Sequence, residues 1–277
     1  MANGQPFENV DDCEQMKDFN AFFGSREYNA HTLNSHVQGN SLYFTLMYLS
    51  FKLNWAESIP QLNQEKFKNL AYNIQCSYRD VRYHNQVHGA DVVNEISEIL
   101  TSCGMAEICS LSPVDIFITL LSGAAHDMDH PGTNNAFESK SGSKLSILYN
   151  DISVLEQHHT ASFFFLLENE KRNCNVLMDL NPELKQEYRN IILEQILYTD
   201  MSKHGELCKI IKELGQLDPA DRDMGGANKR IMLKALVHAT DIGNPTRVFD
   251  VAKMWGLKIV SEFFNIGDSE RALGLPI

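Results

Sequence analysis

An apolar run from Ile116 to Ala125 leads directly into a polar segment, and this junction constrains the fold more than any other stretch. The segment reads His126-Asp127-Met128-Asp129-His130-Pro131-Gly132 and is rich in groups that can bind a divalent cation or polarise water. Charge at the edge of an apolar core is costly unless a metal or a hydrogen-bonded partner neutralises it. The junction therefore predicts a metal site at the end of a buried helix.

The remaining chain follows the helical period from Ser41 onward. Ser112-Pro113 and Asn181-Pro182 each place a capping side chain before a proline at the first helical position. No stretch alternates as a strand does, and no internal repeat is visible. The sequence predicts an all-α, compact multi-helix bundle over 41–277, preceded by an irregular lead-in over 1–40. Apolar stripes at helical spacing support this prediction, for example Val92, Val93, Ile96, Ile99 and Leu100.

Composition excludes several classes of protein. A net charge of −12 over 277 residues disfavours a general nucleic-acid binder, which needs surplus Lys and Arg to displace phosphate counterions. The apolar runs are shorter than the roughly 20 residues of a membrane span, and the polar N-terminus does not resemble a secretory signal. The six cysteines are scattered without a Cys-x-x-Cys motif, which favours reduced thiols and a cytoplasmic location.

Further histidines and carboxylates lie at other predicted helix ends. His84 and His88 are four residues apart, which predicts imidazoles on one helix face about 6 Å from each other. Asp241 closes another apolar helix. Helices that end near one point would bring together two imidazoles and two carboxylates, a set that suits zinc. The predicted ligands are His88, His126, Asp127 and Asp241.

The carboxylate of Asp127 has two oxygens and can bridge two metals, an arrangement that activates water for phosphoester hydrolysis. Any single histidine on a helix is more often a partnered surface or half-buried residue than a ligand. The joint pattern, with each polar cluster abutting an apolar helix, is much more specific.

Three motifs resemble those of the class I cyclic nucleotide phosphodiesterases, which belong to the HD superfamily. They are Tyr83-His84-Asn85-x-x-His88-x-x-Asp91-Val92, the segment His126–Gly132, and Asp241-Ile242-Gly243-Asn244-Pro245. Two segments between them, Tyr149–His159 and Thr199–His204, are also similar to that family. The resemblance runs in the family's order from about Ser41 to the end.

The resemblance implies a metal-dependent 3′,5′-cyclic nucleotide phosphodiesterase that forms the 5′ monophosphate. The four predicted ligands would hold zinc, and Asp127 would bridge to magnesium or manganese. A hydroxide between the metals would attack phosphorus, while His84 would protonate the leaving 3′ oxygen. The resemblance also assigns supporting roles. His130, Glu156, Thr199 and Asp129 are expected near the metal-bound waters or the phosphate, and Tyr83, Asn244 and Ile259 near the substrate.

Some of these residues have simpler interpretations. Ser153-x-x-Glu156 is a capping box, so Glu156 could close a helix N-terminus. Trp255 and Phe263 lie on the apolar face of the last helix and are predicted to be core. The remaining histidines of the motifs are expected to support the fold or the site rather than act in it; they are His158, His159, His204 and His238.

The sequence departs from the family pattern at its end. The family's segment that clamps the purine, together with a glutamate that orients the general acid, is expected to follow Ile277 and so to be lacking. Asn244-Pro245 resembles the relatives that prefer cyclic AMP, which predicts cyclic AMP over cyclic GMP.

Two other functions stay open. A non-catalytic scaffold subunit of a larger assembly would keep the fold, although the intact ligand set disfavours it. A different HD-type phosphohydrolase would explain His126-Asp127 but not the motifs around His84 and Asn244. The predicted partner is a cyclic nucleotide, with a homo-oligomer or larger assembly left open.

Overall fold

The computed structural model describes residue 23 and residues 28–178, 180–218, 221–226 and 228–276. These residues contain fourteen α-helices and no strand, which confirms the all-α prediction. The helices are α1 (Ala30–His36), α2 (Ser41–Lys52), α3 (Trp55–Ser58), α4 (Gln64–Ser77), α5 (Gln86–Thr101), α6 (Met105–Ile108), α7 (Pro113–Ala125), α8 (Asn135–Ser141), α9 (Lys144–Tyr149), α10 (Val154–Leu167), α11 (Pro182–Leu197), α12 (His204–Gln216), α13 (Lys229–Asp241) and α14 (Phe249–Leu273).

Helix α5 is the centre of the bundle. It is buried along most of its length and packs against α1, α2, α7 and α13. Its contact with α7 is unusually close at Gly123, where a Cβ atom would lie 2.4 Å from Cδ1 of Ile96. Because interiors are packed at crystal-like density, the missing side chain allows the two helices to approach. The two helices are therefore closely packed just before α7 ends at Ala125.

The predicted caps at two helix starts are confirmed. The Ser112 hydroxyl accepts a hydrogen bond from the Asp115 backbone N–H, and the Asp115 carboxylate accepts one from the Ser112 N–H. Asn181 accepts from the Leu184 N–H at 2.9 Å. Each cap satisfies donors that a helix N-terminus leaves unpaired.

The segment predicted to be irregular, 1–40, contains helix α1. Asn29 caps it by accepting from the N–H groups of His31 and Thr32, and Leu33 is buried against the bundle. The imidazole of His31 lies 4.3 Å from the Trp255 ring, between centroids. Tertiary contacts and the asparagine cap therefore stabilise this helix. The polar composition of the segment gave no indication of it in the sequence. Residues 1–22 and 24–27 of the segment lie outside the described residues.

Within the described part of the chain, no helix is both long and apolar enough to cross a membrane. The cysteines there are free thiols, namely Cys76, Cys103, Cys109, Cys174 and Cys208. Cys13 lies outside the described residues.

Candidate active site

Three helix termini from distant parts of the chain bring four side chains into one cluster. His88 lies in the first turn of α5, His126 and Asp127 directly follow α7, and Asp241 is the last residue of α13. One potential ligand atom from each lies within 4.8 Å of the others. Nε2 of His88 is 2.9 Å from Oδ1 of Asp241 and 3.3 Å from Nε2 of His126. The structure thus brings together all four residues predicted to be ligands.

The orientation of these side chains fits a cation. Nδ1 of His126 lies 2.7 Å from the Gly123 carbonyl, to which it can only donate, so a neutral ring presents the Nε2 lone pair to the cluster. Oδ2 of Asp127 is buried and makes no hydrogen bond, although it lies 3.1 Å from Nε2 of His126. Two imidazoles, two carboxylates and an unpaired buried oxygen form the donor set of a zinc-type site.

The charges of the cluster also favour a bound cation. Burial raises the pKa of Asp241, but His126 outweighs this and holds it well below its usual range. Both carboxylates, Asp127 and Asp241, are therefore anionic inside the protein. Burial alone would lower the pKa of His126, but Asp127 and Asp241 raise it well above its usual range, so the cluster favours a positive charge at its centre. A divalent cation bound to the neutral ring would supply that charge.

His84 lies beside this cluster, just before α5. The helix begins at Gln86 with Asn85 as its cap, so His84 is not on the helix as the spacing suggested. The ring centroids of His84 and His88 are nevertheless 6.0 Å apart, the expected separation. The sequence predicted the distance correctly, although the helix starts later.

A buried glutamate on α14 orients His84. Oε1 of Glu262 pairs with Nδ1 of His84, and Oε2 accepts from the Tyr83 N–H at 2.8 Å and the His84 N–H at 3.3 Å. Burial alone would lower the pKa of His84, but Asp127, Glu262 and Asp241 raise it above its usual value. An imidazole held protonated at the edge of a cavity is suited to act as a general acid.

Glu262 corrects an expectation from the sequence. The glutamate that orients the general acid was expected beyond Ile277, yet a carboxylate in this position lies within the chain. The sequence carries a signal for it. Glu262 falls at helical spacing between Ile259 and the buried Ile266, and a charge on a buried face implies a partner.

Two further histidines line the cavity. The ring of His130 stacks on His84 at 4.0 Å and on His159 at 5.2 Å, between centroids. Nδ1 of His130 accepts from the Gly132 N–H at 3.0 Å, which leaves Nε2 to carry the proton of the neutral ring. Burial, followed by the charge of His84, holds the pKa of His130 well below its usual range. His130 is therefore a neutral donor.

His159 was expected to support the fold or the site, and it lies beside one of the four clustered residues. Its Nε2 is 3.7 Å from Oδ1 of Asp127, and its Nδ1 lies 2.8 Å from the Met128 carbonyl. Asp127, His130 and His159 form a second group whose ligand atoms lie within 4.8 Å of one another.

Glu156 faces the cavity and does not cap a helix. Ser153 has a left-handed backbone, makes no capping bond, and donates its hydroxyl to Asp200 instead, so the capping-box interpretation is wrong. The Glu156 carboxylate accepts from Nδ2 of Asn135 at 3.0 Å. Burial, with a contribution from Asp200, raises the pKa of Glu156 to about 7. Thr199 also lines the cavity, with its hydroxyl donated to the Ile196 carbonyl.

Asp129 is turned away from the cavity. Its backbone has a φ of +61°, and its carboxylate binds Nε of Arg79 at 2.6 Å and Nε2 of His158 at 2.8 Å. It does not line the cavity that holds the cluster. The structure therefore does not favour the predicted role beside the metal-bound waters. Proximity in sequence to Asp127 was misleading because the left-handed residue reverses the direction of the chain.

The cavity has a volume of about 590 Å³ and opens between the histidine cluster and α14. Trp255 is core, as predicted, but Phe263 is 54% exposed, so its predicted place in the core is wrong. Phe263 lies at the cavity wall because this face of α14 borders open space. The three predicted substrate-binding residues also line the cavity: Tyr83, Asn244 and Ile259.

Both polar atoms of the Asn244 side-chain amide make hydrogen bonds to other protein groups. Its Nδ2 donates to Oδ2 of Asp91 at 2.7 Å, and its Oδ1 accepts from the Tyr83 hydroxyl. The remaining pair of motif histidines, His204 and His238, contact each other at 2.9 Å between Nδ1 and Nε2. They are not part of the cavity lining.

Comparisons with known proteins agree with this fold and site. The 3′5′-cyclic nucleotide phosphodiesterase family matches residues 83–277. A probable 3′,5′-cyclic-AMP phosphodiesterase, pde-4 of Caenorhabditis elegans, is 32% identical over 226 residues, covering 78% of this chain and 32% of the relative. The dual specificity calcium/calmodulin-dependent 3′,5′-cyclic nucleotide phosphodiesterase 1 of Drosophila melanogaster is 37% identical, covering 76% and 24%.

Solved structures show the same fold. LmjPDEB1 in complex with IBMX superposes with a TM-score of 0.81 at 23% identity, covering 97% of this chain and 81% of that one. The phosphodiesterase domain of the RhoPDE fusion protein from the choanoflagellate Salpingoeca rosetta gives 0.74 at 26% identity, covering 96% and 80%.

The fold and the histidine–aspartate cluster define a phosphodiesterase-type catalytic domain. The chain belongs to the 3′5′-cyclic nucleotide phosphodiesterase family. It spans about a third or less of the length of these two curated relatives.

Proposed function

We propose that this chain is a metal-dependent 3′,5′-cyclic nucleotide phosphodiesterase domain that converts cyclic AMP to the 5′ monophosphate. One observation carries the proposal. Four ligand atoms from distant helix ends lie within 4.8 Å of one another, and a histidine oriented by Glu262 stands next to them. A scaffold protein would have no need for this costly arrangement of buried charge.

His88, His126, Asp127 and Asp241 would hold zinc. A second ion, magnesium or manganese, would share Asp127. When bound, the ions lower the pKa of a water that attacks phosphorus and neutralise charge on the phosphate. The protein's own contribution is to place four ligands in a buried cluster, with the Gly123 carbonyl fixing the ring of His126.

His84 would protonate the departing 3′ oxygen. Glu262 accepts a hydrogen bond from the Nδ1–H of His84, which leaves the Nε2–H for donation into the cavity. After the transfer the ring is neutral and still holds its hydrogen bond to Glu262. The raised pKa of His84 keeps the acid form populated near neutral pH.

His130, Glu156 and Thr199 would hold the phosphate and the waters around the ions. The neutral His130 can donate from Nε2 to an anionic oxygen without itself releasing a proton. Glu156, with a pKa of about 7, can accept or donate a hydrogen bond at physiological pH. All three residues line the same cavity.

Asn244 supports a preference for cyclic AMP. Because Asp91 only accepts hydrogen bonds, it must take Nδ2 of Asn244, which places Oδ1 beside the Tyr83 hydroxyl at the cavity wall. An acceptor there complements the exocyclic amine of adenine better than the carbonyl of guanine. Ile259, on the same wall, offers an apolar contact for the purine.

The proposal is tested with purified protein, by measuring bound zinc and the hydrolysis of cyclic AMP and cyclic GMP in the presence of magnesium. His84→Ala should lower kcat by about 100-fold or more, whereas His36→Ala, at the exposed end of α1, should not change it. Full activity in His84→Ala would eliminate the general-acid role.

The same measurements separate the other functions. Zinc binding without hydrolysis of either cyclic nucleotide favours the scaffold, and hydrolysis of oligonucleotides instead favours a different HD-type phosphohydrolase. Faster turnover of cyclic GMP would refute the predicted preference. The cytoplasmic location and the assembly state stay predictions, to be tested by cell fractionation and light scattering.

A further inference from the structure

Polar pairs join helix α5 to the end of α13 and the segment after it, in a regular series. Along α5 the participating residues are three and four positions apart, so they share one face, and along 241–247 they recur every three positions. The first pair belongs to the proposed metal site, and the others follow it along α5. The series consists of His88–Asp241 at 2.9 Å, Asp91–Asn244 at 2.7 Å, Asp91–Arg247 at 3.0 Å and Glu95–Arg247 at 3.2 Å.

Asp91 is the centre of this series. Its side chain is fully buried, and its two carboxylate oxygens have different partners, Nδ2 of Asn244 and Nη2 of Arg247. The side chain of Arg247 is only 8% exposed and reaches the next carboxylate along the helix, that of Glu95. Nothing in the zinc or acid chemistry uses Asp91 directly. A buried charge outside the reacting groups needs another explanation, because burial of a charge is costly.

Through Asn244, Asp91 is connected both to the segment that follows Asp241 and to Tyr83, which precedes His84. Asn244 is three residues after the ligand Asp241, and it accepts the hydroxyl of Tyr83, the residue before His84. Because a carboxylate can only accept, Asp91 also fixes which way the Asn244 amide faces. A shift of the segment along α5 would break these pairs and move Asp241 away from His88.

We propose that Asp91 is a positioning residue, which together with Asn244 and Arg247 sets the register between α5 and the segment after α13. Buried ionic pairs contribute little net stability, and fixing register is their best-attested use. The register in turn holds Asp241 beside His88 and Tyr83 beside the cavity. Because this role presumes the zinc site and the hydrolysis proposed above, the test measures each of them separately.

The experiment is a swap of the buried pair. Asp91→Asn and Asn244→Asp are made singly and together, and each protein is assayed for zinc affinity by competition with a chelator and for kcat and KM with cyclic AMP. The matched control is Asp268→Asn, which changes an exposed aspartate paired with Arg271 at 2.7 Å on α14. Supporting groups around metal ligands typically contribute about 10- to 100-fold to affinity or activity.

We expect Asp91→Asn to weaken zinc binding and lower kcat by about 10-fold each, with a smaller change in KM. Asn244→Asp should also weaken both, because two carboxylates would face each other. The double variant should recover most of the loss, since Asn at 91 can donate to Asp at 244, which still accepts from Tyr83. If the single variants were impaired only because packing was lost, exchanging the two residues in the double variant would not restore zinc binding or kcat.

The role would be overturned if Asp91→Asn had the same zinc affinity and kcat as the control Asp268→Asn. It would also be overturned if the double variant bound zinc no more tightly, and turned over no faster, than the more impaired of the two single variants. If Asp91→Asn does not fold, Arg247→Lys replaces it, because lysine keeps the charge but cannot span both carboxylates. The zinc affinity of this variant should fall, and an unchanged affinity would overturn the role. If the wild-type protein binds zinc but does not hydrolyse cyclic AMP, the proposed phosphodiesterase function is refuted. The zinc affinities of the variants still decide whether Asp91 is a positioning residue.

Discussion

Glu262 and Glu156 are two glutamates near the same cavity, and their pKa values are shifted in opposite directions. Glu262 is buried and bonded to His84, whereas Glu156 is half-buried and lines the cavity. Burial raises the pKa of each, but Glu262 accepts three hydrogen bonds, from the His84 ring and two backbone N–H groups, and its pKa is lowered. Glu156 accepts from the side-chain amide of Asn135 and from a backbone N–H, but burial outweighs these bonds and Asp200 lies nearby, so its pKa rises to about 7.

The comparison shows that the hydrogen-bond donors around a buried carboxyl group decide its charge, more than the depth of burial. Glu262 is built as a fixed anion that keeps His84 protonated. Glu156 is a group that can change its charge near pH 7. The two positions therefore suit different tasks, although the residue type is the same.

Glu262→Gln should produce the largest effect. The amide cannot stabilise the His84 imidazolium, so kcat should fall by about 100-fold and the alkaline limb of the pH–kcat profile should move to lower pH. Steady-state kinetics across pH would measure both. Glu270→Gln is the matched control, because Glu270 is a buried glutamate two turns further along α14, paired with Lys140 and away from the cavity. An unchanged alkaline limb in Glu262→Gln would contradict the assignment.

Glu156→Gln should have a smaller effect on turnover, about 10-fold in kcat. Glutamine keeps the size of the side chain and can hydrogen-bond a water, but it cannot become an anion above pH 7. The loss should therefore be smaller at pH 6 than at pH 8. Equal losses at the two pH values would show that the charge of Glu156 is irrelevant.

The two glutamates should also affect stability in opposite pH ranges, measured by urea unfolding of metal-free protein. The folded-state pKa of Glu156 is raised, so its favourable contribution is full below about pH 4.5 and is lost as the pH rises through about 7. Relative to Glu156→Gln, the wild type should lose on the order of 3 kcal/mol over this range.

The folded-state pKa of Glu262 is lowered, so its contribution should be full above about pH 4.5 and should decline as the pH falls through the folded pKa. Wild type and Glu262→Gln should therefore differ most above pH 5 and converge in acid. A difference that grows toward low pH would reverse the predicted sign.

Asn135→Ala should give the smallest effect. It removes the amide that donates to Glu156, so the pKa of Glu156 should rise further above 7, by less than one unit. The midpoint of the pH-dependent loss of stability would report the shift. A midpoint that moves to lower pH would show that Asn135 is not the donor that stabilises the anion.

The sequence predicted that these four residues would come together because they lie at helix ends that caps and apolar runs mark clearly. Ser112 and Asn181 are visible starts, and the run ending at Ala125 is a visible stop. Such local signals fix where a helix begins and ends. The direction of a side chain beyond a helix end was not predictable, as Asp129 shows with its left-handed backbone.

Long-range partners were also hidden from the sequence. Glu262 and His84 are 178 positions apart, and only the packing of α14 against the start of α5 makes one the partner of the other. Glu156 belongs to a local sequence pattern, the capping box, but the Ser153 hydroxyl donates to Asp200 and does not cap the helix. A local motif competes with a tertiary hydrogen bond, and here the tertiary bond prevails.

The position of the four ligands at helix ends has a consequence for how the domain assembles. His88 and Asp241 are 153 positions apart, and His88 and His126 are 38 apart. An ion shared by these residues would join both chain loops at once. Because it would bind the folded chain and not the unfolded one, its binding free energy would add to the stability of the fold. Such a link can form only after α5, α7 and α13 have docked, so the cation would be the last part to arrive and would lock an already folded bundle.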